Sequence, residues 1–314
     1  MKIAVYAICK NENKHIARWV NSMDEADSIY VTDTGSDDDS IEKLKNLNVN
    51  VQSIKLNRFR FDDARNASLN FVPNNFDVCV CTDLDEVFLP GWRAEVENEF
   101  AKQQNLHRLH YKFVTSVNHD GTDGQCFYNI KIHKRHGYKW KHPVHEIVEY
   151  IGLDKENIAV NENIKLYHYP DISKPREYLN LLEIGVKEDP TPRNLHYLCR
   201  EYWYLKKWED CIKAGLAHLN TIGKGWLEEY PVSMRYIATA YKELGNYYQS
   251  EKYLIKAIEL IPNRREPYIE LSILYKLINK NILSKWALDS AAKIKEKHGN
   301  YIHEGWAWNN SFIN

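Results

Sequence analysis

The chain has 314 residues, with 42 basic and 43 acidic side chains and a net charge of −1. That balance excludes a global basic face of the kind that binds nucleic acid or a membrane surface. The length leaves room for two domains, no run of 18 apolar residues marks a membrane span, and six scattered cysteines predict reduced thiols in a cytosol. Residues 2–9, KIAVYAIC, read as a buried strand and are too soon interrupted for a signal peptide. Residues 10–23 read as a loop and an amphipathic helix. Residues 28–47 predict a strand, an acidic Gly/Ser turn and a helix whose start is marked by Asp39 and Ser40. A third strand follows at 49–56, then a turn into a helix at 59–72. Strands alternating with short helices predict a mostly parallel, doubly wound α/β sheet, which binds ligands at the carboxyl ends of its strands.

The most informative stretch is VCVCTDLDEVFLP, residues 78–90. An apolar strand ends in Asp83-Leu84-Asp85-Glu86. Alternation at a strand end predicts Asp83 and Asp85 on one side of the backbone. Two carboxylates so placed repel unless a cation lies between them, and Mg²⁺ or Mn²⁺ takes oxygen ligands shared with phosphates. Set against this is an ordinary solvated acidic turn. Residues 126–150 hold His133, His136, His142 and His145, with Glu146 beside the last and Pro143 excluding a helix. Neutral imidazole ligates ions such as Mn²⁺. The basic run from Lys131 through His142 is a candidate for meeting an anionic acceptor.

Beyond about residue 175 the strand-like runs stop and apolar residues take helical spacing. Ile237, Ala238, Tyr241, Leu254, Ala257 and Pro262 fit a tetratricopeptide pattern, and Tyr275 and Ala291 fall 34 residues after Tyr241 and Ala257. A diverged earlier unit aligns Tyr202 with Tyr241 and Leu205 with Leu244, and an insertion, NTIGKGWLEEYPV, separates the two. Pro175 and Pro190-Thr191-Pro192 mark the helices leading in. Three helix–turn–helix units predict a short solenoid, a surface for an acceptor or partner, or a dimerisation element. Trp306 and Trp308 after the last unit are expected to cap it or to line a sugar site.

Four segments in this order resemble glycosyltransferase family 2, the GT-A fold of nucleotide-sugar-dependent transferases. They are Cys9-Lys10-Asn11-Glu12, the loop Thr32 to Ser40, Ala64-Arg65-Asn66 and Asp83-Leu84-Asp85-Glu86. A subgroup's W-x-x-x-V-H-E element is matched by Trp140 to Glu146, and Thr34 departs from the second Asp of many members. The resemblance covers about residues 1–170 and implies a GT-A domain at 1–172 followed by an all-α repeat domain at 173–314. It implies a UDP-sugar donor and inversion at the anomeric carbon. Asp33, with Asp38 or Asp39, is then expected on the uracil and ribose, and Arg65 on the donor. Asp83 and Asp85 are expected to serve an Mn²⁺ or Mg²⁺ ion and the diphosphate, with Asp85 the more direct ligand. A late histidine completes the metal shell in such enzymes; His145 resembles it, and His168 is its rival. Glu146, next to His145 in an extended segment and pointing the other way, is the expected general base, with Glu86 as rival.

The acceptor is expected to be a saccharide, a polypeptide or a modified DNA base. The expected setting is the cytoplasm of a bacterial cell or phage-infected host, without integral membrane association, with a homodimer through the repeats as one arrangement. Two other classes compete. A nucleotidyltransferase making the nucleotide sugar would need a Gly-rich N-terminal loop, where residues 8–14 read ICKNENK. A non-catalytic repeat adaptor would leave Asp83, Asp85, Arg65 and Val144-His145-Glu146 without a task.

Overall fold

The computed structural model describes residues 1–118, 120–171, 178–297 and 303–308. The chain divides into two compact units, Met1–Arg176 and Glu177–Asn314. The expected boundary at 172/173 and Pro175 both fall in 172–177, outside the described residues.

The first unit begins with the predicted alternation: β1 (Ile3–Cys9), α1 (Asn13–Ser22), β2 (Ser28–Asp33), α2 (Ser40–Asn46), β3 (Asn50–Ser53), α3 (Phe61–Phe71) and β4 (Val78–Cys81). It continues with β5 (Glu86–Phe88), α4 (Trp92–Lys102), β6 (Arg108–Val114), β7 (Cys126–Lys134), β8 (Tyr138–Lys141), β9 (Ile147–Tyr150) and β10 (Ile158–His168). Eight strands form one sheet in the order β3-β2-β1-β4-β7-β6-β10-β5, and β8 and β9 pair separately. The strands from β3 to β4 are mutually parallel. Beyond them β7 runs antiparallel to both β4 and β6, β10 is parallel to β6, and β5 closes the edge antiparallel to β10. The expectation of a mostly parallel sheet is therefore corrected to a mixed sheet. Among the described residues the loop between β6 and β7 carries no helix, and a direct connection between neighbouring strands requires them to run antiparallel.

Burial explains the apolar run of β1. Ile3, Val5 and Ala7 enter one core with Ile16 and Trp19, while Ala4 and Tyr6 enter another with Cys79, Cys81 and Trp140. A strand covered on both faces shows no polar alternation. Cys79 and Cys81 are core side chains with free thiols.

The second unit is helical: α5 (Leu179–Glu188), α6 (Pro192–Tyr204), α7 (Trp208–Leu219), α8 (Glu229–Glu243), α9 (Tyr247–Leu260), α10 (Arg265–Leu277), α11 (Asn281–Lys293) and the short α12 (Gly305–Trp308). Helices α6–α11 pack as three successive pairs. Each first helix ends the same way. The residue after its last turn has a left-handed backbone: Lys206 at φ 56°, Gly245 at φ 76° and Asn279 at φ 59°. The next N–H returns to the carbonyl of the aligned tyrosine, Lys207 to Tyr202, Asn246 to Tyr241 and Lys280 to Tyr275. This is a Schellman cap repeated three times. Trp306 and Trp308 pack at the end of the stack, with Arg235 over one ring and Arg265 over the other.

Candidate functional site

The carboxyl ends of β1 and β2 are stitched together. Asn11, with a left-handed φ of 56°, donates its N–H to Ser36 Oγ and accepts from Asp37 N–H. Ser40 Oγ accepts from Glu12 N–H. Asp33 is buried at the end of β2 and accepts from the N–H groups of Gly35 at 2.9 Å and Ser36 at 3.1 Å, and from the Ser36 hydroxyl. Those bonds fold its own loop in the manner of an Asx turn. Asp38, rather than Asp39, accepts from Ser40 N–H at 3.0 Å at the start of α2. Burial would raise the Asp38 pKa, but the Ser40 hydrogen bonds lower it on balance.

The acid motif departs from its expected geometry. β4 ends at Cys81, and Asp83 to Glu86 form a tight turn closed by Glu86 N–H onto Asp83 O at 3.0 Å. Strand alternation does not extend past the last ladder residue, so the expectation that Asp83 and Asp85 share one side is corrected. They serve different partners. Asp83 Oδ1 accepts from Arg65 Nη2 at 2.7 Å, and Asp83 Oδ2 from Lys131 Nζ at 3.2 Å. Lys131 also reaches Glu86 Oε1 at 3.2 Å, while Glu86 Oε2 accepts from Asp83 N–H at 2.8 Å. Partial burial pushes Asp83 up, but Arg65 and Lys131 outweigh it and hold the carboxyl far below its usual range. Burial disfavours the Lys131 ammonium, yet Asp83 and Glu86 more than restore it.

Arg65 on α3 is the hub. Its Nε also donates to Glu146 Oε1, its Nη1 faces Cys81 Sγ at 3.3 Å, and its guanidinium lies 5.0 Å from the Trp140 ring centre. Asp62 and Asp63, on the same helix, pair with Arg60. Asn66 braces β8 by exchanging two hydrogen bonds with the Trp140 backbone. Arg65 thus gathers Asp83 and Glu146, residues far apart in sequence, on one buried cation.

Asp85 lies against β10. The register β5–β10 sets His168 opposite Glu86, which brings His168 Nε2 to 3.2 Å from Asp85 Oδ2. Burial lowers the His168 pKa, but the hydrogen bond to Asp85 outweighs it and the net shift is upward. The structure brings His168, the rival, to Asp85. His145 has φ 52° and His142 φ 76°, so the segment around Pro143 is not extended. The expected opposite facing of His145 and Glu146 is corrected accordingly, because it required β geometry.

His133, one of the four histidines of its segment, is a core residue. Trp140 Nε1 donates to Tyr6 Oη, Tyr6 Oη meets His133 Nε2, and His133 Nδ1 meets Lys134 O. Burial drives its pKa down to about 3, so the ring is neutral. The basic run from Lys131 to His142 is divided. Lys131 is paired with carboxylates, and Arg135 is buried and donates to Val72 O, while His136, Lys139 and Lys141 are exposed and Lys141 pairs with Glu149.

These residues fit a divalent ion in part. Donor atoms in one such shell lie at about 2.1 Å from the ion, so adjacent donors are about 3 Å apart. Asp85 and His168 meet that spacing and supply an oxygen and an imidazole. Asp83 does not fit as it stands, since both its oxygens face cations. Among the described residues no group of three or more His, Cys, Asp or Glu side chains is arranged to hold a metal. The sequence reading missed Lys131 as a site residue; its signal was a lysine inside an apolar strand, Ile130-Lys131-Ile132.

No protein-family model matches the chain, and no characterised protein matches it. Solved structures similar to part of it include that of MamA, 16% identical with a TM-score of 0.34, covering 37% of this chain and 66% of that one. PilF of Pseudomonas aeruginosa is 13% identical with a TM-score of 0.33, over 38% of this chain and 53% of that one. The second TPR of Spaghetti (RPAP3), solved with an HSP90 peptide, is 14% identical with a TM-score of 0.30, over 35% and 96%. The chain thus spans just under two thirds of MamA and about half of PilF. Likeness at this level carries no argument about function.

Proposed function

We propose that the first unit is an inverting, divalent-metal-dependent glycosyltransferase of the GT-A kind that takes a UDP-sugar. The observation that carries this reading is the convergence of Arg65, Asp83, Lys131, Glu86 and Glu146 beside the Asp85–His168 pair, beyond the carboxyl end of β4. Open α/β sheets bind ligands at that end.

Asp33 holds the β2 loop in shape so that its neighbours can meet a nucleoside. Arg65 holds Asp83 and Glu146 in place and helps keep Asp83 ionised. Asp85 and His168 would hold a divalent ion, Mn²⁺ or Mg²⁺, which neutralises charge on a leaving diphosphate when bound. Between the two candidate bases, Glu146 is favoured. Both Glu86 oxygens are engaged, and its side chain is 2% exposed. Glu146 is 10% exposed, and only one of its oxygens has a hydrogen-bond partner among the described residues.

The test is UDP release across a panel of UDP-sugars, with and without Mn²⁺. The expected outcome is Mn²⁺-dependent release, with Glu146→Gln slowed by about 10²- to 10⁴-fold at unchanged UDP affinity. Near-parental turnover in Glu146→Gln would move the base elsewhere. No binding of any UDP-sugar would remove the transferase reading. The repeat unit would then stand as the functional part, a protein-interaction module. That second reading is favoured by the apolar residues exposed at the tips of its helix pairs, including Leu205, Leu244, Tyr248, Leu277 and Ile282.

A further inference from the structure

We infer that Lys131 is a built-in cation of the acidic turn, a positioning residue that takes Asp83 out of metal ligation and leaves Asp85 with His168 as the protein donors for one divalent ion. The inference rests on the transferase reading only for the identity of the site. It starts from charge. Four carboxyl groups, Asp83, Asp85, Glu86 and Glu146, meet two permanent cations, Arg65 and Lys131; burial pushes Glu86 up to about 7 in spite of Lys131. Carboxylates this close to one another, in a partly buried setting, need cations between them.

The fold delivers Lys131 to that place. β7 runs antiparallel to β4, with Val80 opposite Ile132. Lys131 therefore lies level with the end of β4, where the chain turns into Asp83. Its ammonium is 3.2 Å from Asp83 Oδ2 and 3.2 Å from Glu86 Oε1, and its side chain is 16% exposed. Arg65 occupies the other Asp83 oxygen at 2.7 Å. Asp83 is thus closed on both oxygens by side chains of α3 and β7. Asp85 faces only His168 among the described residues' charged and imidazole groups. Lysine supplies a point charge with three donors on a flexible stem, which suits bridging two carboxylates.

The experiment is Mn²⁺ binding to the full chain without nucleotide, followed by electron paramagnetic resonance, for the parent, Lys131→Met and Asp85→Asn. Lys131→Met leaves Asp83 and Glu86 without their shared cation. It is expected to bind Mn²⁺ about tenfold more tightly than the parent, or to take up a second ion, because two facing carboxylates then recruit a divalent cation. Asp85→Asn is expected to lose the parental site. If the parent binds no Mn²⁺ while Lys131→Met does, the role of Lys131 stands and the metal dependence of the transferase reading falls. Affinity and stoichiometry in Lys131→Met equal to the parent's would overturn the inference. Should Lys131→Met not fold, ¹⁵N NMR of the parent reads the same point. A charged, slowly exchanging Lys131 ammonium supports the inference, and a neutral or freely exchanging amine overturns it.

Discussion

Arg65 in the first unit and Arg264 in the second are both almost fully buried among carboxylates, yet their surroundings differ. Arg264 meets Glu228 at 3.0 Å and Glu266, a side chain with no exposure that also accepts from Glu304 N–H. That cluster joins α10 to the segment entering α12. Arg65 sits under a turn whose Asp83 side chain is 36% exposed and whose neighbour Asp85, among the described residues, pairs with a histidine alone. Buried charge alone is therefore no mark of function, since a closed network secures packing. A network that ends in partly exposed acids at the carboxyl edge of a sheet has capacity left for a ligand.

The sharpest way to break this comparison is Asp85→Asn. It removes a charge without removing volume, at a position no buried network needs. Transfer is expected to fall by about 10³-fold or more, the several kcal/mol a metal-held diphosphate supplies, with the urea midpoint unchanged. Full Mn²⁺-dependent activity in that variant would make the acid turn ordinary surface.

Next in size are the two arginines themselves. Arg65→Met and Arg264→Met each leave buried carboxylates unpaired, and each should cost about 3–5 kcal/mol of stability by chemical denaturation. Only Arg65→Met should also weaken UDP binding by calorimetry. Equal UDP affinity in the two variants would erase the difference drawn between the units.

Acid should expose the closed network. Burial by itself would raise the Glu266 pKa, but His303, Arg235 and Arg264 pull it from 4.5 down to about 2. A carboxyl whose folded pKa lies below its unfolded value stabilises the fold above the unfolded pKa. That stability goes as the pH falls through the folded one. The loss should therefore run from about pH 4.5 to about pH 2 and amount to on the order of 3 kcal/mol. Urea midpoints measured across that range should fall for the parent and stay flatter for Glu266→Gln.

The sequence carried the early elements well because each has a local cause. β1 and β4 are apolar on both faces, and α1 and α3 between them are amphipathic. The mixed half of the sheet was not read, although a signal was there. Whether β7 runs with or against β4 depends on a direct β6–β7 connection, and Asp120-Gly121 and Asp123-Gly124 between the two strands mark turns rather than a crossover helix. In the site, Arg65, Asp83 and Asp85 stood out by residue type and order. His168 reached Asp85 only through the β5–β10 register, and Lys131 looked like one more residue of a basic run until β7 set it under the turn. Pairing register is a tertiary property, which no window of sequence contains.

The smallest expected effects lie in the repeated caps, where local rules suffice. All three positions at φ between 56° and 76° close the same Schellman turn, but only the middle one is glycine. A side chain in the left-handed region is strained, about 1 kcal/mol or more for an ordinary residue and less for asparagine. Lys206→Gly should therefore stabilise the chain by about 0.5–1 kcal/mol, and Asn279→Gly by less. Gly245→Ala should destabilise it by about 1 kcal/mol. An added Cβ at Gly245 meets nothing within 4 Å, so the cost there is backbone strain rather than a clash. Urea titration of the three variants, with UDP binding followed in parallel, should move stability in that order and leave affinity alone. A change in UDP affinity from any of them would mean that the caps and the acid turn are coupled, and that the two units do not divide structure from chemistry as argued.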